Sequence, residues 1–482
     1  MENFFHSVYL DKELCKGCIN CIKRCPTEAI RVRNGKAVIN NKKCIDCGEC
    51  IRICSHHAKL AKRDTLDILN KYEYTVALPA PSLYTQFNNI KDTNLILNAI
   101  LELGFDDVYE VSGAAELVSE KTRQYLVENK DKWPIISSAC PSIVRLIRVR
   151  FPNLIDHLLP IKAPIEVAAE IALEKAIQTT GLPRNKIGII FITPCPAKVT
   201  YSKEPIGIDH SEVDGVVAIK DIYPLLLEAL NTTAKEYENT PLPNLAISGK
   251  IGVGWSCSGG ESSGIVTDNY LAADGIENVI QVLENLEDER FSGLDFIELN
   301  ACSGGCVGGV LTVENPYISH AKNKHLKKYL PVTVSRFSDR STTIYSEDVN
   351  FDWNKKVEYE PVFRIGDSVI EGINNLNSVE KIQEIFPGLD CGSCGAPTCR
   401  ALAEDIVRGE ASDTACIHIF KEYFNFLTLK LSNLTTANIA NSNDASKTIE
   451  SLDQSINSFI SDSPGPIAGT DTKDNNKKST DD

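Results

Sequence analysis

The chain has 482 residues, 43% of them hydrophobic and 24% charged, with a formal net charge of −15. These values describe a globular chain long enough for two to four domains and at least one large core. They exclude a general nucleic-acid binder, which would show a basic footprint, and no apolar run reaches the roughly 18 residues of a membrane span.

The charge is uneven. Residues 1–62 carry twelve Lys and Arg against six Asp and Glu, so this head holds +6 and the remainder −21. Such a head either attracts an acidic redox partner or offsets anionic groups bound within it. Seventeen cysteines fall into three sets: eight in residues 15–54, five between 140 and 306, and four in 391–416. The opening residues lack a basic stretch leading into an apolar one, so no secretory signal is predicted and a cytoplasmic location is expected. In a reducing compartment, close-spaced cysteines read as metal ligands rather than disulfides.

Residues 1–62 are read as one domain. Its first motif is Cys15-x2-Cys18-x2-Cys21-x3-Cys25-Pro26 and its second Cys44-x2-Cys47-x2-Cys50-x3-Cys54-Ser55. Two-residue gaps let three thiolates curl round one cube, and the fourth comes from the other motif. Cys15, Cys18, Cys21 and Cys54 are therefore expected to hold one [4Fe–4S] cluster, and Cys44, Cys47, Cys50 and Cys25 another. The double pattern resembles two-cluster bacterial ferredoxins, which implies an α+β module and an electron relay. Between the motifs, Asn34-Gly35 flanked by Ala29–Val32 and Lys36–Ile39 predicts a hairpin.

Residues 70–335 have a different texture. Tyr74–Leu78, Lys186–Ile192 and Val213–Ala218 read as buried strands, and Ile165–Ile177 and Tyr223–Tyr237 as helices, an α/β pattern with largely parallel sheets. Cysteines here sit singly after strand ends, in Ser137-Ser138-Ala139-Cys140-Pro141, in Thr193-Pro194-Cys195-Pro196-Ala197-Lys198, and in Asn300-Ala301-Cys302-Ser303-Gly304-Gly305-Cys306. Loops at the carboxyl ends of strands are where such a fold binds ligands.

In spacing and order these three segments resemble those of [FeFe]-hydrogenases, over about residues 75–330. The resemblance implies that Cys140, Cys195, Cys302 and Cys306 hold a further [4Fe–4S] cube, with Cys306 also bridging to a di-iron subcluster that carries CO, cyanide and azadithiolate, together the H-cluster. Lys198 matches the family lysine that hydrogen-bonds an iron-bound cyanide. Lys198 and Cys306 are thus the expected catalytic residues, with H2 and protons as reactants and the [FeFe] maturation factors as assembly partners.

Several positions depart from the efficient enzymes. The relay cysteine beside the first ligand is Ala139, which cannot carry a proton. The family methionines near the site are Thr193 and Asn300, and Met1 is the only methionine. These losses look like the divergent, sensory-type [FeFe]-hydrogenases, in which hydrogen turns over slowly. Glu116 and Glu120 are candidates for the acidic relay, and Cys257, Ser137, Ser138, Ser256 and Glu261 for a substitute route.

The segment 370–434 carries Cys391-x2-Cys394-x4-Cys399-x16-Cys416 and resembles the small, mostly helical [4Fe–4S] domain of electron-transfer and corrinoid-pathway proteins. Cys399 is expected to start a helix over Arg400–Gly409. Phe420, Phe424, Leu427, Leu431 and Leu434 predict an amphipathic helix, and Ile449, Leu452, Ile456 and Phe459 another over 435–460 that a second copy of the chain could pair with. Residues 461–482 are apolar-poor and read as a disordered tail. The stretch Ser338–Lys356 reads as linker.

The expected cofactors are three [4Fe–4S] clusters outside the active site and the H-cluster. The leading expectation is slow, reversible hydrogen oxidation in a hydrogen or redox sensor, with ferredoxin or another redox or signalling protein as partner. Two others stand beside it: a working ferredoxin-linked hydrogenase, and a multi-cluster electron-transfer protein without the di-iron unit.

Overall fold

The computed structural model describes residues 5–88, 90, 92–291, 293–334 and 349–440, with side chains to residue 432. The chain divides into two compact units, Met1–Phe363 and Arg364–Asp482. The architecture is mixed α+β, with an α/β domain between smaller cysteine-rich modules.

In the first unit the head runs β1 (Val8–Leu10), α1 (Asn20–Lys23), β2 (Ile30–Arg33), β3 (Lys36–Ile39), α2 (Glu49–Arg52) and β4 (Lys59–Ala61). β1 pairs antiparallel with β4, and β2 with β3. The turn of the second pair places Asn34 at φ 50° and Gly35 at φ 71°, the two positive values that a tight hairpin needs.

The α/β domain begins with β5 (Tyr74–Pro79), followed by α3 (Thr93–Leu101), β6 (Asp107–Val108), α4 (Val111–Glu128), β7 (Ile135–Ile136), α5 (Pro141–Arg150) and α6 (Pro164–Thr180). It continues with β8 (Ile187–Thr193), α7 (Pro196–Lys203), β9 (Gly215–Ala218), α8 (Ile219–Glu236), α9 (Lys250–Gly254) and α10 (Gly260–Ile265). The last elements are β10 (Tyr270–Asp274), α11 (Ile276–Glu287), β11 (Phe296–Asn300) and α12 (Pro316–Leu326). One parallel sheet has the order β6-β5-β8-β9 and a second the order β10-β11-β7. Every residue of β8 is buried, as a strand covered on both faces requires. Two hydrophobic clusters contain alternate β8 residues, Ile187, Ile189 and Phe191 in one, Ile190 and Ile192 in the other.

The segment expected as linker is not all linker. Lys162 N donates to Phe351 O at 2.7 Å, Trp353 N donates to Pro160 O at 2.9 Å, and Phe351 and Val357 are buried. Two apolar anchors spaced among charged residues give a strap that composition alone reads as polar.

The second unit contains α13 (Val369–Ile385), α14 (Cys399–Val407) and α15 (Ile417–Ala440). Val379, Ile382, Phe386, Ala396, Ala401, Leu402, Ala403 and Cys416 form its core. The Thr398 hydroxyl accepts from Ala401 N at 3.0 Å and caps α14. The helix expected over 435–460 and the tail over 461–482 lie outside the described residues, except for the backbone of 435–440, which completes α15.

Candidate functional site

In the head, the cysteines group by the neighbours they feel. Burial, followed by the opposing influence of Lys59, sets the raised pKa of Cys21, and the thiols that push it up are Cys18, Cys54 and Cys15. Burial raises Cys44, Cys47 and Cys50 well above the ordinary thiol, and each of the three also feels Cys25. Backbone amides support the sulfurs: Ala29 N donates to Cys25 Sγ at 3.2 Å, Ala58 N to Cys54 Sγ at 3.3 Å and Ala37 N to Cys15 Sγ at 3.4 Å.

The central set comes from three loops. Cys140 and Cys195 are the N-cap residues of α5 and α7, each followed by a proline at the first helical position, and Cys302 follows the end of β11. Burial pushes the Cys195 thiol up to about 11, with Cys140 adding to it and the backbone amides of Lys198 and Ala197 opposing. Cys306 rises to about 12 through burial, then Cys195 and Cys140, against the pull of Lys198. Cys302 is raised by burial and by all three of the others. Cys195, Cys302 and Cys306, raised in this way, act as thiolate ligands only where a polycation sits among them. An iron cube is a group of that kind, and the donor set is soft and complete, so these residues fit it. Gly305 has a φ of 87°, and a Cβ there would lie 2.5 Å from Ser258 N, so the loop closes this tightly only with glycine.

Head and central set touch. Arg52, on α2 between Cys50 and Cys54, donates from Nη2 to Gly308 O at 2.6 Å. A Cβ at Gly48, beside Cys47, would lie 2.7 Å from Val310 and 3.1 Å from Pro196. Asp46, between Cys44 and Cys47, receives Arg145 Nη1 of α5 at 3.1 Å and His6 Nδ1 at 2.8 Å. His6, Cys44 and Asp46 present ligand atoms within 4.8 Å of one another. Because Asp46 already accepts from His6, Arg145 and Val8 N, the group supports the Cys44 loop.

In the second unit, Cys394 is raised by burial and also feels Cys416 and Cys391. Cys399 opens α14, and its N–H donates to Asp390 Oδ1 at 2.6 Å.

The family described as the iron-only hydrogenase large subunit, C-terminal domain, matches residues 73–310, a 4Fe-4S dicluster domain matches 7–55, and an Fe-S cluster domain matches 386–418. The chain is a multidomain iron–sulfur protein with a central [FeFe]-hydrogenase-like domain. It is divergent from its relatives. Iron hydrogenase 1 of Clostridium pasteurianum is 23% identical over 407 residues, 72% of this chain and 69% of that protein. The NADP-reducing hydrogenase subunit HndD of Solidesulfovibrio fructosivorans is 23% identical over 65% of this chain and 61% of its own length. The cytosolic Fe-S cluster assembly factor NAR1 of Scheffersomyces stipitis is 23% identical over 53% of this chain and 52% of its own. A variant of the [FeFe]-hydrogenase HydA1 from Chlamydomonas reinhardtii superposes with a TM-score of 0.42 at 15% identity, over 55% of this chain and 90% of that one.

Around the hydrogenase-like site, Lys198 Nζ donates to Ala139 O at 2.9 Å. Thr193 Oγ1 donates to Cys195 O at 3.1 Å, and Asn300 Nδ2 donates to Glu298 Oε1 at 2.9 Å, so both side chains are polar struts. Ser137 Oγ donates to Glu261 Oε2 at 2.7 Å and accepts from Ala139 N at 3.2 Å. Burial, then the nearby Glu298, push Glu261 up to about 8. Glu298 was not singled out from sequence; its signal is an acid inside the apolar strand Phe296-Ile297-Glu298-Leu299. Glu116 instead accepts from the N–H groups of Gly249, Gly252 and Val334, which makes it a structural clamp. Cys257 is buried beside Ser256, and the groups that shift it include none of the four central thiols. Among the described residues no helix is long and apolar enough to cross a membrane.

Proposed function

We propose that the chain is a hydrogenase-type iron–sulfur oxidoreductase, in which electrons pass between a central cube held by Cys140, Cys195, Cys302 and Cys306 and the two cubes of the ferredoxin head. The observation that carries this reading is the packing of the segment Cys44–Arg52 against the central cysteine loops: Asp46 pairs with Arg145 of the helix that Cys140 caps, Gly48 lies against Pro196 and Val310, and Arg52 donates to Gly308 O. The set Cys44, Cys47, Cys50 and Cys25 is then the near relay. The set Cys15, Cys18, Cys21 and Cys54 is the far one, reaching an external ferredoxin-like partner. Cys391, Cys394, Cys399 and Cys416 hold a third relay cube in the second unit.

A di-iron unit on Cys306, when bound, would supply the chemistry that interconverts hydrogen with protons and electrons. Lys198 serves it as a cationic donor held in place by Ala139 O, ready for an anionic ligand. Burial and the neighbouring Glu298 favour the protonated form of Glu261, which lies in hydrogen-bond contact with the Ser137 hydroxyl, and Ser137 Oγ in turn accepts from Ala139 N. Without a thiol at position 139 the last transfer has no side-chain carrier, so turnover is slow, as suits a hydrogen or redox sensor in a reducing cytoplasm.

A second reading is a multi-cluster electron-transfer protein without the di-iron unit; beside it stands the likeness, at 23% identity, to a relative named as an Fe-S cluster assembly factor and not as a hydrogenase. Anaerobic maturation with the [FeFe] assembly factors, followed by infrared spectra under nitrogen, hydrogen and CO, separates the two. Metal–carbonyl bands that shift with hydrogen are expected. Their absence from a sample rich in iron and acid-labile sulfide would leave the electron-transfer reading standing alone.

A further inference from the structure

The two halves of the head repeat at an offset of 29 residues, so Cys15, Cys18, Cys21 and Cys25 correspond to Cys44, Cys47, Cys50 and Cys54. The segment Cys25-Pro26-Thr27-Glu28-Ala29-Ile30 then corresponds to Cys54-Ser55-His56-His57-Ala58-Lys59. Backbone geometry follows the repeat: Ala29 N donates to Cys25 Sγ at 3.2 Å, and Ala58 N to Cys54 Sγ at 3.3 Å. Side-chain chemistry does not. One half buries Ile30 at 2% exposure, and the other buries Lys59 at 1%.

Lys59 Nζ is fully enclosed and makes no hydrogen bond to any described group. Burying an unpaired cation is unfavourable, so it is retained where an anion lies opposite. Lys59 sits on β4 opposite Leu10, directly after Ala58, whose N–H donates to Cys54 Sγ at 3.3 Å. In keeping with that place, its charge is felt by Cys15 and Cys21 of one ligand set and by Cys50 of the other. Thiolate-ligated cubes are anionic and become more so on reduction, and nearby charge is one of the factors that set their potential.

We propose that Lys59 is a positioning residue for electron transfer, a buried cation set between the two cubes of the head that raises the potential at which they accept an electron. It makes the repeat electrostatically unequal, because Ile30 offers nothing comparable from the symmetry-related place. The proposal rests on the reading that both cubes are present. A side chain that merely filled space would do the same work as isoleucine.

The test uses the full-length protein, reconstituted anaerobically as wild type, Lys59→Ile and Lys59→Arg. Iron, acid-labile sulfide and the spin-resonance spectrum first establish whether the cubes are there; their absence from the wild type would overturn the underlying reading. A potentiometric titration of the spin signals then reads the proposal itself. In Lys59→Ile the oxidised-to-reduced ratio at fixed potential should rise at least tenfold, about 59 mV for one electron, while Lys59→Arg stays close to wild type. Should Lys59→Ile lose its cubes, Lys59→Met, nearer lysine in length, is read in the same way. Unaltered midpoint potentials in a loaded Lys59→Ile or Lys59→Met protein overturn the proposal. An equal fall in Lys59→Arg overturns it too, since the effect would then belong to packing.

Discussion

Glu166, on α6, is buried, and its carboxyl rises to about 7 because burial outweighs the hydrogen bond from Ser211 and the nearby Lys198. The folded protein therefore holds this proton more tightly than the unfolded chain. The resulting stability is complete below about pH 4.5 and is lost as pH rises through about 7. At 1.36 kcal/mol for each unit of pKa, the loss is about 3 kcal/mol. Glu166→Gln should abolish it, so denaturant titrations at pH 5 and pH 8 should differ less in the variant than in wild type. Ala139 calls for a different experiment at the same scale. Ala139→Cys restores a proton carrier beside Cys140, and hydrogen turnover of the matured protein should rise by the order of 10² that a positioned acid–base group gives. No rise would show that proton supply is not what limits the reaction. The cysteine motifs, Lys198 and Ala139 were legible as residues because their spacing is local. Glu298, Asp46 and Lys59 were not, since each owes its meaning to a neighbour far away in sequence.

Between elements, Arg145 joins three of the cysteine-bearing loops. It lies on α5, whose N-cap is Cys140, and donates to Asp46 between Cys44 and Cys47 and to Glu204 O at the end of α7, which begins after Cys195. Burial lowers the pKa of Arg145, and Asp46 is the largest influence opposing that fall. Arg145→Met would leave the Asp46 carboxylate buried without its cation, and the cost should be about 3–5 kcal/mol in denaturant unfolding. Adding Asp46→Asn to that variant should recover part of the loss; an unchanged loss would mean the pair is not coupled. Strands such as β5 and β8 were readable from continuous apolar runs. β6 is short, and it forms because a longer neighbour, β5, supplies its partner.

Over the whole molecule, the cysteines gather into sets, one in each of the head, the central domain and the second unit. Burial, then the neighbouring cysteines, raise Cys195, Cys302 and Cys306, and a bound cationic cluster would stabilise their thiolate forms. Removal of iron by a chelator under reducing conditions should lower the thermal unfolding midpoint of the first unit, and reconstitution with iron and sulfide should restore it. A midpoint indifferent to iron would mean that the thiols are not ligands.

The sequence by itself determined the cysteine motifs, the hairpin of the head, the alternation of strands and helices and the alanine at position 139, because each is written in spacings of a few residues. Only the tertiary structure decided which ferredoxin loop lies against the central site, that residues 349–357 strap the core, and that Glu116 clamps backbone while Glu261 faces Ser137. Those outcomes depend on burial and on contacts between segments tens to hundreds of residues apart, where a charged side chain's neighbours, and so its chemistry, are set by the fold rather than by its own stretch of chain.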